Sequence, residues 1–384
     1  MQVVLGEYLR RLGTIRRALD DSESINRVLS ADAVFSGTPD EISWLDDSWI
    51  RLRDARTDRR RHEYSSCIAL LYGAFEQFFE SLIVEFLDDL GRVIPAFDDL
   101  PKEIRQNHAD LSARLIINAS RDKYRERVAV ANIATRIAEN VPGRPVDLNS
   151  LAYVEHSRNL RFEVLDSMLK RIGVPELEKD LVSSAALQGY WDLKFSGTTL
   201  NGLGCKVLFE DLDDLVQRRN IVAHSWSSDI ALLSVASLRD MVDFMSSLGE
   251  GIHEVLVGHL VAYEAQHFAF ELPHPLKVLR KHRVACFQID AGCVCTESRL
   301  AVLRPGARLP IEARVVELQV DDVSLSKVVA PPALSFGCLL DVDVSQGCRF
   351  YVIMDRKRDE KEGGIADGVQ PTVVDCGTPA QGSF

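Results

Sequence analysis

Between Glu210 and Trp226 the chain sets Arg218, Arg219 and Asn220 just ahead of His224, and these side-chain types can together cleave a phosphodiester. A neutral imidazole can take the proton of a ribose 2′-hydroxyl because its ordinary pKa is about 6.5, and such general-base help is typically worth about 10²- to 10⁴-fold. A guanidinium can clamp the phosphate and stabilise the charge that builds on its oxygens as the ring closes. This route needs no metal and no cofactor. An arginine pair at a helix end beside a capping histidine also occurs in proteins that do no chemistry, so the residue types alone leave both readings open.

The elements around these residues decide whether they can meet. Acidic residues open the segment and arginines close it, the polarity that a helix macrodipole favours, and this predicts a helix from about Phe209 to Ile221. In an unbroken helix Arg219 and His224 stand about 140° apart in azimuth. A shared site therefore needs either a break near His224 or contributions from two chains.

Helices dominate the chain up to about residue 270. From Ser65 to Leu90, apolar residues recur at Ile68, Leu71, Phe75, Phe78, Phe79, Leu82, Ile83 and Phe86, the three-to-four spacing of one buried helix face. A second long stripe runs from about Asp229 to Val257. Between the two stripes lie a charged, weakly periodic segment (Lys102 to Asn140), a turn at Val141-Pro142-Gly143-Arg144-Pro145, and a helix-like segment from Arg158 to Arg171 ended by Gly173.

After Pro273 and Pro275 the pattern changes. Short β-branched or alternating runs at 284–289, 311–320, 338–344 and 349–354 predict a small antiparallel sheet or barrel of roughly five or six strands. The expected division is a helical domain over 1–268, a small β-rich domain over 269–358, and a tail with little fixed structure over 359–384.

Several chemistries have no support. Nucleotide-binding glycine loops (G-x-x-x-x-G-K-[ST], G-x-G-x-x-G) and the G-x-S-x-G elbow of serine hydrolases are missing from the sequence. His253-Glu254 is followed by His259, six residues on; that spacing turns a helix by about 600° and does not stack two imidazoles for zinc. Six of the eight cysteines fall after residue 285, and Cys293 and Cys295 form only C-x-C, so small buried thiols are expected rather than disulfides or a metal site. No uninterrupted apolar run reaches the length of a spanning helix, and Met1 to Arg10 lacks the pattern of a signal peptide, so the expected location is the cytoplasm without membrane contact.

With Ser65 to Phe78 as an early core helix and Ser157-Arg158-Asn159-Leu160-Arg161 leading into Leu169-Lys170-Arg171-Ile172-Gly173, the stretch Arg219-Asn220-Ile221-Val222-Ala223-His224 completes an ordered set of three segments. Together they resemble the HEPN superfamily, with its R-x4-6-H signature, and most nearly the RiboL-PSP-type and neighbouring groups of bacterial conflict systems. The resemblance covers roughly Met1 to Glu264. It implies an α-helical bundle and a metal-independent endoribonuclease, a toxin or anti-phage effector, in which two subunits face each other across one cleft and leave a 2′,3′-cyclic phosphate and a 5′-hydroxyl. Carried onto this chain, it makes Arg219 the phosphate ligand, His224 the base or acid, and Asn220 the residue that orients them. Some HEPN toxins carry a tyrosine two residues after the histidine, where a partner enzyme attaches a nucleotide. Here that place is Trp226, which cannot accept one.

Arg218 and Glu76 are further substrate-site candidates. Arg218 either reaches the RNA backbone or forms a solvated helix end, and Glu76 is expected to pair with an arginine of the motif. Arg51, Arg53, Arg56, Arg59, Arg60 and Arg61 either track phosphates or, with Asp54 and Asp58 interleaved, form an ordinary charged helix. The partners implied are RNA, a second copy of the chain, and an antitoxin or other defence-system protein. The alternative is a non-catalytic HEPN scaffold that binds RNA or a protein.

Charge first argues against nucleic acid, because 45 basic and 57 acidic residues among 384 leave a formal net charge of −12. That charge is unevenly spread. From Lys277 to Arg358 thirteen basic residues face nine acidic ones, so a mildly basic module is attached to an acidic body. A site needing only a few converging arginines is compatible with this balance, and RNA binding is expected to be local and quickly lost as salt rises.

Overall fold

The computed structural model describes residues 1–30, 39–121, 124–125, 127–195, 200, 205–224, 231–279, 283–330 and 334–354. The tail expected over 359–384 and Trp226 lie outside these. Among the described residues, eleven α-helices precede the strands: α1 (Gln2–Ser30), α2 (Pro39–Asp54), α3 (Arg56–Val93), α4 (Lys102–Asn118), α5 (Val130–Glu139), α6 (Phe162–Arg171), α7 (Leu177–Leu181), α8 (Ala185–Lys194), α9 (Cys205–Leu208), α10 (Glu210–His224) and α11 (Val235–Phe268). The fold is thus mainly α with a strand-rich carboxy-terminal part.

By contacts the chain forms two compact units. The first takes Met1–Val84, Val154–Lys170 and Pro175–His253; the second takes Glu85–Tyr153, Arg171–Val174 and the chain from Glu254 onward. This division does not follow the change from helix to strand at Phe268, because the strands share their unit with α4 and α5.

In the first unit, α1 buries Leu5, Tyr8, Leu12, Ile15 and Leu19 at helical spacing, and α3 buries Ile68, Leu71, Phe75, Phe79, Leu82 and Ile83 almost completely. By length and composition α3 is apolar enough to cross a membrane, yet this face lies in the protein core. Tyr8 joins three helices: its ring stacks on Phe78 at 4.2 Å between centroids, and its hydroxyl donates to the Met245 carbonyl at 2.8 Å. Gly249 makes that approach possible, since a Cβ there would stand 2.4 Å from Tyr8 Cε1.

Two expected boundaries move. The helix-like stretch at Arg158 begins only at Phe162, which leaves 155–161 as an irregular connection that can carry side chains into a site. The weakly periodic stretch Lys102–Asn140 resolves into α4 and α5, which Asn149 ties to each other: it donates to Ser112 Oγ of α4 (2.9 Å) and to the Ile133 carbonyl of α5 (3.1 Å).

His253 and His259 both lie on α11. His253 is only 8% exposed, and its Nε2 has no hydrogen-bond partner among the described residues. Burial, with a smaller contribution from the Met1 amino group, pushes its pKa down to about 4. The unfolded chain therefore binds a proton between about pH 6.5 and 4 that the folded chain does not, so stability is fully present above 6.5 and is lost as pH falls through that window. Between pH 7.5 and 5 the wild type should lose about 2 kcal/mol more unfolding free energy in urea than His253→Leu. Parallel losses in the two proteins would show that His253 is not the group responsible.

The described residues of the second unit hold ten strands where five or six were expected: β1 (Ala269–Leu272), β2 (Lys277–Leu279), β3 (Val284–Ile289), β4 (Gly292–Cys295), β5 (Arg299–Leu303), β6 (Ile311–Val320), β7 (Val323–Leu325), β8 (Lys327–Ala330), β9 (Leu334–Leu340) and β10 (Arg349–Ile353). Most of the additional strands are only three to five residues long, too short to show alternation in sequence. The main sheet runs β1-β10-β5-β6-β9-β3-β2, antiparallel throughout, with β7 on β6; β4 and β8 pair separately. Val316 is an extra residue in β6 that shifts the register between Val315 and Glu317, and the strand pairs with β5 up to Arg314 and with β9 from Val315 onward. Phe287, Phe336 and Phe350 centre the core. Arg299 ties this sheet to the end of α11, with a two-pronged contact to Glu264 (3.0 and 2.7 Å) and another to Glu312 (3.0 Å). The described cysteines are free thiols; Cys67, Cys338 and Cys348 are buried, whereas Cys286, Cys293 and Cys295 are only partly covered.

Candidate functional site

Helix α10 has Glu210, Asp211 and Asp213 in its first turn and His224 in its last. Its buried stripe is Leu212, Leu215 and Val216, and Arg219 continues that stripe at the next three-to-four step. The arginine is drawn into the first unit for this reason, whereas Ile221 and His224 are exposed. The helix is continuous through His224, three residues beyond its expected end, so the backbone does not break between the motif's ends.

Arg219 lies over the ring of Tyr72 from α3, with Cζ 5.1 Å from the ring centroid. Its Nη1 also makes a long 3.4 Å contact to Asn220 Oδ1. The same oxygen accepts a shorter 2.8 Å bond from Asn159 Nδ2. Asn220 is thereby fixed between the helix and the 155–161 connection, with its side-chain oxygen toward Arg219. Beneath the guanidinium, the Tyr72 hydroxyl accepts from the Leu160 backbone N–H (3.1 Å) and donates to Glu76 Oε1 (3.2 Å). Burial pushes the Tyr72 pKa up to about 12, so the hydroxyl remains a donor at neutral pH.

Glu76 does not meet an arginine of the motif. Its contacts are Tyr72 and, at 3.9 Å, His156 Nε2, which sits 2.9 Å from Glu80 Oε1. Among the described residues, Glu76 is linked to Arg219 through Tyr72. Arg218 points elsewhere: it bonds Asp214 at 2.7 Å, Tyr64 at 3.0 Å and the Ala231 carbonyl at 3.2 Å. Those three contacts make it a bracket between α10, α3 and the stretch that precedes α11. In the arginine cluster, Arg51, Arg53, Arg56, Arg60 and Arg61 are exposed, while Arg59 bonds Asn26 at 2.8 Å and Glu63 at 3.5 Å.

Arg219, Asn220, Asn159 and Tyr72 thus form one contiguous group, and His224 stands on the same helix but on a different side. By helix geometry it is about 140° round and about 7.5 Å farther along the axis from Arg219. A guanidinium on an aromatic face, flanked by two carboxamides, suits a phosphate oxygen; an exposed imidazole at a helix end suits proton transfer.

Residues 40–258, more than half of the chain, match the RiboL-PSP-HEPN family. The chain belongs to that family. HEPN domains are helical, and they generally act as ribonucleases or in RNA-related roles. No curated protein and no solved structure matches the chain. The matched stretch contains every residue of the group around Arg219, and His224 as well. Tyr72 and Asn159 belong to two segments that carry the HEPN resemblance in sequence, but nothing in their local spacing marks them as partners of α10. Glu80 has a sequence signal, one helical turn after Glu76; His156 has none.

Proposed function

We propose that this RiboL-PSP-HEPN protein is a metal-independent endoribonuclease of a bacterial toxin or anti-phage defence system, acting in the cytoplasm as a homodimer. The observation that carries this reading is the unbroken run of α10 through His224. One chain holds Arg219 and His224 on different sides of one helix, so a single phosphate is best served by Arg219 of one subunit and His224 of the partner subunit. In the reaction, one imidazole takes the 2′-hydroxyl proton, O2′ attacks phosphorus, and the P–O5′ bond breaks. The same imidazolium returns the proton to the leaving 5′-oxygen, leaving a 2′,3′-cyclic phosphate and a 5′-hydroxyl. Arg219 holds the phosphate oxygens while charge accumulates on them, and Asn220, anchored by Asn159, keeps the guanidinium in place.

The purified protein should cut RNA in EDTA. Mixing and re-associating the inactive variants Arg219→Ala and His224→Ala should restore activity, because each mixed dimer regains one intact site. With random pairing and two sites per dimer, the recovery is about a quarter of wild-type activity. RNA binding with no cleavage product at any protein concentration would replace this reading with the non-catalytic scaffold, and active protein whose variants never complement would remove the two-chain site.

A further inference from the structure

Beside Tyr72, Glu76 and Glu80 stand one turn apart on α3 and face His156. One ligand atom from each lies within 4.8 Å of the others. We infer that Glu76, Glu80 and His156 form a binding site for a divalent transition-metal ion of the zinc type.

The orientation of His156 carries the argument. Its Nδ1 is 2.7 Å from the Arg158 carbonyl oxygen, which can only accept, so the Nδ1 proton is committed there. In the neutral ring the Nε2 lone pair then faces Glu80 Oε1 at 2.9 Å and Glu76 Oε1 at 3.9 Å. One ring nitrogen and a carboxylate oxygen from each glutamate are thus brought within 4.8 Å of one another. A ring nitrogen bonded to a backbone carbonyl, with the other aimed at carboxylates, is the orientation that metal-binding histidines adopt. The group is also enclosed: the His156 side chain is 9% exposed and that of Glu80 14%, while Glu76 at 35% leaves one side open.

Size agrees. Zinc bonds of about 2.0–2.2 Å in tetrahedral arrangement separate ligand atoms by about 3.4 Å, between the two imidazole–carboxylate distances observed. One imidazole and two carboxylates suit zinc or a neighbouring first-row ion better than magnesium or calcium, which take all-oxygen shells. The ion would tie the 155–161 connection, and with it Asn159, to α3. It takes no part in the cleavage route proposed above, and its presence does not depend on whether the chain cuts RNA.

The test is direct binding. Full-length protein stripped with EDTA and dialysed is titrated with Zn²⁺ by calorimetry, alongside Glu80→Gln, Glu76→Gln and His156→Ala. Zinc held by cysteines or other histidines contributes equally to all four, so the difference isolates this site. Wild type should bind one more equivalent than the variants at micromolar or tighter affinity, and Glu80→Gln should weaken that equivalent by at least about 100-fold while its circular dichroism is unchanged. Should His156→Ala fail to fold, the two glutamine variants still decide. Equal stoichiometry and affinity in wild type and glutamine variants would overturn the inference and leave His156 as an imidazolium paired with two carboxylates.

Discussion

His224→Ala is expected to lower RNA cleavage by about 10²- to 10⁴-fold with no measurable loss of stability. Both halves of this expectation come from its position. His224 is the last residue of α10 and is exposed, so its removal opens no cavity; surface substitutions of this kind stay within about ±0.5 kcal/mol. The imidazole is nonetheless the motif's one group able to take and return a proton near neutral pH. Arg219→Ala is a less clean probe, because it also strips the guanidinium from the Tyr72 ring and leaves Asn220 with one fewer contact. Cleavage rates and thermal denaturation of wild type and His224→Ala, measured on the same preparations, provide the check. Retention of cleavage within tenfold of wild type would remove His224 from the chemistry.

Phe79→Ala should cost about 3–5 kcal/mol of the first unit's stability, read as a lower urea midpoint. Phe79 is fully buried on α3, with its ring stacked at 6.2 Å between centroids against Phe75, and truncation leaves a cavity that rigid helix packing can only partly close. The loss is a large share of the roughly 5–15 kcal/mol that holds a typical domain together. Because α3 also carries Tyr72, Glu76 and Glu80, RNA cleavage should disappear at the temperature where this variant melts and not before. A destabilisation under about 1 kcal/mol would mean that α3 is not the core helix its burial indicates.

The elements legible in sequence were those with a long period. The stripe from Ile68 to Phe86 marks α3 because burial of one face repeats over many turns, and the stripe of α11 is visible for the same reason, although the helix begins at Val235 rather than Asp229 and runs on to Phe268. β3 and β6 match their expected spans, whereas β9 lies at Leu334–Leu340, earlier than the run 338–344 suggests. Strands of three to five residues were not legible, since so few side chains cannot display alternation, and their pairing comes from neighbours distant in sequence.

The site divides in the same way. Sequence alone determined the chemistry on offer, an arginine, an asparagine and a histidine in R-x4-H order on a helix of favourable polarity, because residue type and local spacing are properties of a continuous segment. Only the tertiary structure decided what those side chains touch. It laid Arg219 on Tyr72, bonded Asn220 to Asn159, turned Arg218 toward Tyr64 and Asp214, and set Glu76 and Glu80 against His156. Each of these contacts joins at least one residue to a partner far away in the chain or selects among several possible rotamers, and packing of α3 against α10 and the 155–161 connection is what chooses them. The continuous course of α10 through His224 was likewise decided by the fold, and it turns the two alternatives of a broken helix or a paired chain into the single expectation of a site shared between subunits.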